Sequence, residues 1–405
     1  MFFLGIDWSE QHHDVCVLDE LGAQRATLRV PEGIVGVARF HELAAQLGCP
    51  PVELVIGIET DRGLLVHSLV AAGYTVFAIN PLAVSRYRDR HTVSGAKSDP
   101  GDSKLLADLV RTDRQNHRAI AGDSAGVEAI KVMARAHQQL VWDHQRLVNR
   151  LRSSLREFYP AALAAFGTEL AHPDAVAILE RAPTPEQGRR LSRTAIQAGL
   201  RRAGRQRLLA RRAEQIQRAL REPHLELPAP LSAAYGATVK ATVGQLRQLM
   251  AQTAELELEL SKAFEAHQDA AILGSLPGLG RVLGARILGE FGDDRTRYES
   301  AKARKNAAGT SPITRASGRR RMVAARTARN HRSADACFQW AFSSLQHSPG
   351  AHAYYLAHRS RGHSHFRAVY ALANRWVGIL HGCLASRTTY EESVAWPAAL
   401  TIAAA

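Results

Sequence analysis

Four acidic residues near the start of the chain have the types and spacing to hold divalent metal ions. Asp7 ends the apolar run FFLGID, and Glu59 ends a second apolar run, VELVIGIE. Asp99 and Asp102 stand three residues apart in KSDPGDSKLLADL, so one helix face can carry both. Four converging carboxylates repel one another unless a cation neutralises them, and oxygen-only ligands favour Mg²⁺ or Mn²⁺. Two such ions suit phosphodiester chemistry, because one activates the attacking oxygen and the other stabilises the leaving oxygen.

Asp99 and Asp102 also have a simpler interpretation, as the start of a helix. A carboxylate at a helix N-terminus accepts hydrogen bonds from free amide groups, so Asp99 is a candidate cap, and Pro100 suits the first helical position. Negative charge in the first turn also favours the helix dipole. Taken alone the pair is more typical of a helix start. The metal hypothesis therefore depends on where Asp7 and Glu59 lie.

The first 124 residues predict an arrangement that brings the acids together. Three short strand-like runs are followed by alternating helical and strand-like segments, in the order βββαβαβα, with the last helix starting from Lys97. This order predicts that the first and fourth strands lie side by side, so that Asp7 and Glu59 share one sheet edge. Asp14, inside the second strand-like run, is interpreted as a surface residue. An actin-like ATPase domain also begins with three strands and an aspartate near the first turn, but that fold would need a second, similar half with another phosphate-binding loop.

The region after about residue 125 shows no strand-like runs, so the sequence pattern contains no second actin-like half. Long helices are expected instead, and heptad-like spacing of apolar residues favours a coiled coil. Predicted helices cover 127–158, 192–221, 237–268, 333–347 and 363–385. The predicted organisation is a metal domain at 1–124, a helical linker or coiled coil at 125–268, a C-terminal helical domain at 269–395 and a tail at 396–405.

The charge balance predicts a polyanionic partner. The 405 residues carry a formal net charge of +14, with 46% hydrophobic and 22% charged residues. Such a basic protein is expected to bind nucleic acid or an anionic membrane surface. No apolar run approaches the ~20 residues needed to cross a bilayer, so we expect nucleic acid and no membrane. The four cysteines are scattered without paired spacing, which favours a reducing cytoplasm. A nucleic-acid-binding protein of that compartment is expected to associate with the nucleoid.

Two later segments carry the candidate contacts to nucleic acid. The stretch 301–332 holds ten Lys and Arg and no acid, which predicts salt-sensitive phosphate binding. LPGLGRVLGARIL, at 276–288, has the Gly-rich turn of a helix-hairpin-helix, although an ordinary interhelical turn has the same pattern. The predicted contacts are Lys302, Arg304, Lys305, Arg315, Arg319, Arg320, Arg321, Gly278 and Gly280. Ser317 lies within the basic stretch, where guanidinium groups could hold a phosphate for its attack, but an unremarkable serine fits equally well.

Together, these segments resemble the DEDD transposases of bacterial insertion sequences, recombinases guided by an element-encoded bridge RNA. The resemblance covers nearly the whole chain and rests on GIDWSEQHHDV, VIGIET, KSDPGDSKLLADL, LPGLGRVLGARIL and AAGTSPITRASG. It implies that Asp7, Glu59, Asp99 and Asp102 match the family's four metal-binding acids. It also implies that Ser317 is the nucleophile, with Ser311 as the fallback. Pro100-Gly101 and Thr310-Ser311 depart from the family's usual residues without removing a functional group.

The resemblance also implies the fold and the partners. The expected fold is α/β plus all-α: an RNase H-like (RuvC-like) domain, a coiled-coil region and a helical transposase domain with a helix-hairpin-helix. The expected partners are donor and target DNA, a guide RNA, Mg²⁺ or Mn²⁺, and further copies of the chain in a homodimer or homotetramer. The arginine-rich central helices would serve RNA binding and subunit contact.

Two other classes of function stay open. A metal-only RNase H-like nuclease or Holliday-junction resolvase would use the four acids without serine chemistry. A non-catalytic nucleic-acid-binding protein would use the acids as helix caps and the arginines as a charged coat.

Overall fold

The computed structural model describes residues 1–91, 98–117, 119–120, 122–318, 320–327 and 329–397. The chain divides into two compact units, Met1–Asp123 and Ser124–Ala405. Across those described ranges, no helix combines the length and the apolar character needed to span a membrane.

The described part of the first unit combines five strands with four helices and two short 3₁₀ turns, at Pro51–Glu53 and Arg114–Asn116. In chain order its elements are β1 (Phe2–Trp8), β2 (His12–Leu18), β3 (Gln24–Pro31), α1 (Ile34–Gln46), β4 (Leu54–Ile58), α2 (Leu64–Ala71), β5 (Thr75–Ala78), α3 (Pro81–His91) and α4 (Asp99–Thr112).

The strand order confirms that the first and fourth strands are neighbours. The sheet runs β3-β2-β1-β4-β5, with β1, β2 and β3 antiparallel and with β4 parallel to both β1 and β5. The structure contains one helix that was not predicted, α3, which lies between β5 and α4 in the chain. Its start is explained by Pro81, which occupies the first helical position, where the missing N–H of proline is not needed.

The two faces of the sheet pack against different helices. Leu4, Ile6 and Ile58 belong to a core shared with Phe40 of α1 and Leu65 of α2. On the other face, side chains from β1, β2 and β4 form a core with α3 and α4: Phe3, Cys16, Leu18, Val55, Val84, Leu106 and Val110. Because successive side chains of a strand point to opposite faces, the near-continuous apolar runs of β1 and β4 are what a sheet covered on both sides requires.

Two glycines let α4 lie directly against the centre of the sheet. Gly5 and Gly57 are paired across β1 and β4. A Cβ atom at Gly5 would lie 1.8 Å from the carbonyl oxygen of Ser103, and one at Gly57 would lie 2.8 Å from that of Leu106. No side chain fits at Gly5 unless the helix moves. The glycine pair therefore fixes where the first turn of α4 sits relative to the ends of β1 and β4.

The second unit is predominantly helical in its described part, with a 3₁₀ turn at Arg295–Arg297. Its elements are α5 (Ala125–Phe158), α6 (Pro160–Phe166), α7 (Pro173–Arg181), α8 (Pro185–Arg190), α9 (Arg193–Arg202), α10 (Leu209–Arg221), α11 (Ala229–Glu265), α12 (Ala270–Gly274), α13 (Arg281–Phe291), α14 (Ala301–Ala307), β6 (Ile313–Ser317), β7 (Arg320–Ala324), α15 (His331–Ser344), α16 (Pro349–Ser360), α17 (His365–Ser386) and α18 (Glu392–Ala395).

The long helices α5 and α11 pack against each other and run antiparallel. Val127, near the start of α5, shares a core with Phe264, near the end of α11. Leu151, further along α5, shares a second core with Val243, from the first half of α11. The expected pairing of long helices is therefore present, and it links two separate hydrophobic cores.

Three expectations for this unit were wrong. Strands do not stop at about residue 125, because β6 and β7 form an antiparallel hairpin. The predicted helix 192–221 is two helices, since α9 ends before Gly204, which has a φ of 90°. Trp396, assigned to the tail, is buried in the core with Trp376, and their rings meet edge to face.

Candidate functional site

Asp7 and Glu59 lie next to each other at one edge of the sheet. Ile6 and Ile58 are paired across the parallel strands β1 and β4, and the two acids follow them directly. Asp7 is two residues beyond Gly5, so its side chain is on the face that α4 covers. Asp7 is half-buried and Glu59 is exposed. The sheet thus brings two of the four predicted acids to one edge and one face.

Asp102 is buried in the first turn of α4, where its carboxylate forms an ion pair with Arg88 of α3. Asp99, three residues earlier in the same turn, is exposed. The residue that caps this helix is Ser98, whose hydroxyl oxygen accepts a hydrogen bond from the Gly101 N–H at 3.3 Å. The interpretation of Asp99 as the cap was therefore wrong, and neither aspartate is used as the cap of the helix.

The sequence reasoning missed a further acid, Asp14, which lies opposite Asp7 in the β1–β2 pair. Asp14 is buried, and both of its carboxylate oxygens accept hydrogen bonds from Arg29, at 3.1 and 3.0 Å. These hydrogen bonds raise the pKa of Arg29, and the charge of Asp99 contributes in the same direction. Asp99 is therefore within electrostatic range of Arg29, the partner of Asp14. The alternation of residues in HDVCVL places Asp14 on the same face of the strand as Cys16, and this pattern was the signal that Asp14 faces the side of the sheet that α4 covers.

The acids form a site that lacks the compact geometry of a metal centre. Among the residues that the structure describes, no three His, Cys, Asp or Glu side chains are close enough together to hold a metal ion. Asp102 instead has a guanidinium partner in Arg88. The donor set still fits Mg²⁺ or Mn²⁺, because all the donors are carboxylate oxygens. Binding such an ion would require Asp102 to exchange Arg88 for the cation.

Ser317 lies at the tip of the β6–β7 hairpin. It is the last residue of β6 and is paired with Arg320, the first residue of β7. Gly318 in the connecting turn has a φ of 55°, a conformation that glycine adopts without strain. Ser317 and its paired arginine are both exposed, as are Arg315 and Arg321. Arg319, a further predicted contact, is outside the described residues.

Ser311, the alternative nucleophile, is less accessible. It is half-buried before the hairpin, with its hydroxyl 3.5 Å from the side-chain oxygen of Asn374. Its carbonyl oxygen accepts a hydrogen bond from Arg326 at 3.3 Å. These contacts give Ser311 a place in the packing of the segment, whereas Ser317 is presented to solvent among arginines.

The residues of α14 differ from the expectation of a uniformly exposed basic face. Lys302 is exposed, but Arg304 has only 5% of its surface exposed and lies over the rings of Tyr298 and Phe291, at 4.5 and 5.2 Å from their centroids. Burial lowers the pKa of Arg304, and it also lowers the pKa of the half-buried Lys305. Arg304 is therefore a core residue, and its assignment as a phosphate contact is corrected.

The Gly-rich segment 276–288 contains the turn after α12 and the first part of α13. Gly278 has a φ of 76°, and a Cβ there would lie 2.5 Å from the backbone nitrogen of Ser344. Trp340 donates a hydrogen bond to the carbonyl oxygen of Pro277 at 3.0 Å. Gly278 is thus explained by packing against α15. Gly280 has open space around its Cβ position at the start of α13 and keeps the geometry for an external contact.

Comparison with known proteins places the chain in a family. A DEDD transposase family model matches residues 4–160, and a model described as "Transposase IS116/IS110/IS902 family" matches residues 270–356. The chain is 44% identical over 407 residues to the mini-circle putative transposase for IS117 from Streptomyces coelicolor, covering 99% of this chain and 98% of the relative. The chain belongs to the IS110 family of transposases. Transposases cleave and rejoin DNA, and the DEDD transposase model covers the sheet of the first unit from residue 4 onward.

More distant relatives of this IS110 family transposase also align over almost their full lengths. A 43.6 kDa protein of insertion element IS110 from S. coelicolor is 27% identical over 416 residues, which cover 99% of this chain and 98% of the relative. A 42 kDa protein of insertion element IS900 from Mycobacterium paratuberculosis is 28% identical over 404 residues, which cover 98% of each chain.

Proposed function

We propose that this transposase is an RNA-guided DNA recombinase that uses a divalent-metal site formed by Asp7, Glu59, Asp99 and Asp102 and a nucleophilic Ser317. The observation that carries the proposal is the Gly5–Gly57 pair, which lets α4 lie on the sheet beside the ends of β1 and β4. A helix held this closely brings its acidic first turn to the edge where Asp7 and Glu59 emerge. The sheet order supports the assignment of an RNase H-like, RuvC-like domain.

The carboxylates would bind and orient the scissile phosphate through the cations they hold. A bound Mg²⁺ or Mn²⁺ supplies charge stabilisation for the phosphate oxygens during displacement. Asp7 and Glu59 are fixed by strands, so they would define one side of the site. Asp102 would complete it after releasing Arg88, and the freed guanidinium could then contact a phosphate oxygen.

Ser317 would perform the displacement itself. Its hydroxyl oxygen would attack the phosphorus and lose its proton, forming an oxygen–phosphorus bond to the protein. The bond from phosphorus to one sugar oxygen breaks, and that oxygen takes up a proton. The covalent protein–DNA intermediate conserves the phosphodiester bond energy for rejoining. Arg315, Arg320 and Arg321 would hold the phosphate beside the serine.

Sequence choice would be delegated to a guide RNA and not to base-reading side chains. Twelve arginines and two acids lie in residues 181–221, and this excess charge supports RNA binding by α9 and α10. A homodimer or homotetramer would bring the serine of one copy to the metal site of another. Sequencing the RNA that co-purifies with the protein tests the guide. A discrete species encoded beside the gene supports it, and a random population of cellular RNA argues against it.

Asparagine at Asp7 or Asp102 tests the metal site. We expect Asp102→Asn to reduce strand cleavage in Mg²⁺ at least about 100-fold, because a metal ligand is lost. Asp89→Asn is the matched control, since Asp89 is an exposed aspartate of α3 and should leave cleavage unchanged. Unchanged cleavage by Asp102→Asn would exclude the metal site. A metal-only nuclease would instead lose activity with Asp102→Asn and keep it with Ser317→Ala.

A further inference from the structure

A groove of about 570 Å³ lies beside the β6–β7 hairpin, inside the second unit. One wall is formed by Pro312 before β6 and by Val323 and Ala324 of β7. The opposite wall comes from α16 and α17, where Tyr354 and Tyr370 line the cavity. The hairpin that presents Ser317 is therefore also one side of a cavity.

Aromatic rings give this groove flat apolar surfaces. Phe366, at the start of α17, is 66% exposed although it lines the cavity. Phe338 of α15 stacks on it with ring centroids 5.8 Å apart, and it also contacts Tyr370 at 5.1 Å. A ring held in place by a second ring is a rigid platform, and a nucleobase can stack on such a platform whatever its sequence.

The charge of the groove selects an anionic occupant. Arg326, Arg329 and Arg367 line it, and the described lining residues include no carboxylate. Arg329 lies over the ring of Tyr370, 5.0 Å from its centroid, and donates a hydrogen bond to its hydroxyl at 3.1 Å. Arginines and aromatic rings around one cavity match the phosphate and the base of a nucleotide.

A hydrogen-bonding group is also available for the edge of a base. The side-chain oxygen of Asn374 accepts a hydrogen bond from the Thr310 hydroxyl at 3.2 Å, which fixes the orientation of the amide. The side-chain nitrogen of Asn374 has no hydrogen-bond partner among the described residues, so it is free to donate to an acceptor on a base.

We propose that this groove binds one unstacked nucleotide of the DNA strand that is cleaved, which rests on Ser317 being the nucleophile. The Thr314–Val323 pair at the groove is three residues from the Ser317–Arg320 pair, or about 10 Å along the hairpin. This distance corresponds to at most about three nucleotides, since the ~3.4 Å spacing applies to a stacked strand and an unstacked strand is more extended. A DNA strand held at Ser317 is therefore within reach of the groove, which favours DNA over guide RNA as the occupant.

Binding of short oligonucleotides tests the groove without requiring chemistry. The full-length chain with Ser317→Ala, alone and combined with Phe366→Ala, is titrated with a fluorescent DNA hexamer in 0.2 M salt, which weakens purely electrostatic binding. We expect Phe366→Ala to raise the Kd about 10-fold, the typical effect of losing one stacking platform. Phe342→Ala, a change at a 50% exposed phenylalanine of α15 outside the groove, should leave the Kd within about twofold.

Equal effects of Phe366→Ala and Phe342→Ala would overturn the groove as a nucleotide site. Tighter binding of an RNA hexamer of the same sequence, with the same dependence on Phe366, would overturn DNA as the occupant. Because this measurement uses a chain without Ser317, its result does not depend on whether that serine is the nucleophile.

An abasic scan tests the predicted position. Cleavable DNA substrates each carry one abasic nucleotide, at successive positions around the scissile phosphate. At one position within about three nucleotides of that phosphate, the abasic substrate should bind about 10-fold more weakly to the wild-type chain, and Phe366→Ala should add nothing further. If Phe366→Ala weakens binding by the same factor whichever position is abasic, no position contacts Phe366 and the proposal is overturned. Failure of Ser317→Ala to abolish the covalent adduct would refute the proposed function separately.

Discussion

At the scale of single residues, the main finding is that Asp102 is paired with a cation supplied by the protein. Arg88 reaches this buried carboxylate from the neighbouring helix α3. Breaking a buried ion pair is costly because a charge loses its partner in a poorly hydrated place. Arg88 therefore stabilises the fold, and it would compete for the same oxygens with the divalent cation that we propose.

Replacing Arg88 by methionine should expose this competition. In EDTA we expect Arg88→Met to lower the free energy of unfolding by about 2 kcal/mol or more. Added Mg²⁺ should raise the Tm of the variant more than that of the wild-type chain, because the cation supplies the missing charge. Thermal unfolding with and without Mg²⁺ measures both effects. Arg86→Met, on the exposed side of the same helix, is the control, and an equal Mg²⁺ shift in all three proteins would contradict the account.

At the scale of elements, local patterns predicted the strands of the first unit and its helices α1, α2 and α4, but not α3. The part of VELVIGIE that forms β4, LVIGI, is uninterrupted and apolar because β4 is covered on both faces, and the end of this run placed Glu59 beside Asp7. The hairpin β6–β7 could not be predicted this way, since ITRAS and RRMVA lack an apolar face and are mostly exposed. The burial of Arg304 was also invisible, because its aromatic partners come from other segments of the chain.

The close approach of α4 to the sheet predicts a strong effect of one methyl group. Gly5→Ala should lower the free energy of unfolding by about 3 kcal/mol, since its Cβ would overlap the Ser103 carbonyl. Gly57→Ala should cost less, about 1–2 kcal/mol, because its nearest contact is longer. Gly244→Ala in α11, where a Cβ meets open space, should instead stabilise the chain by about 0.5–1 kcal/mol. Denaturant unfolding of the three variants measures this order, and a neutral Gly5→Ala would contradict the packing argument.

At the scale of the whole molecule, positive charge dominates, with a formal net charge of +14. A protein that neutralises phosphates releases counterions, so its DNA affinity falls steeply as salt rises. Not every positive side chain can contact DNA, however, because Arg304 is buried while Arg320 and Arg321 are exposed on the hairpin. The hairpin arginines, and not Arg304, should therefore determine the salt dependence.

The salt dependence of DNA binding distinguishes arginines that contact phosphates from those that do not. We expect Arg320→Ala and Arg321→Ala each to reduce the slope of log Kd against log salt by about 1, as for loss of one phosphate contact. Arg25→Ala should leave the slope unchanged, because Arg25 already pairs with Asp19 at 2.6 Å. Anisotropy titrations with one duplex at several salt concentrations give the slopes. Equal slopes for the hairpin variants and the wild-type chain would remove the hairpin from the DNA interface.

The central claim, that Ser317 becomes covalently joined to DNA, can be measured directly on the trapped intermediate. A suicide substrate is incubated with the protein and the RNA that co-purifies with it, the DNA is digested, and the tryptic peptides are analysed by mass spectrometry. Trypsin cuts after Arg315, so Ser311 and Ser317 fall on different peptides. We expect a nucleotide mass on the peptide 316–319 and its loss in Ser317→Ala. An adduct on the peptide that contains Ser311, or cleavage without any adduct, would contradict it.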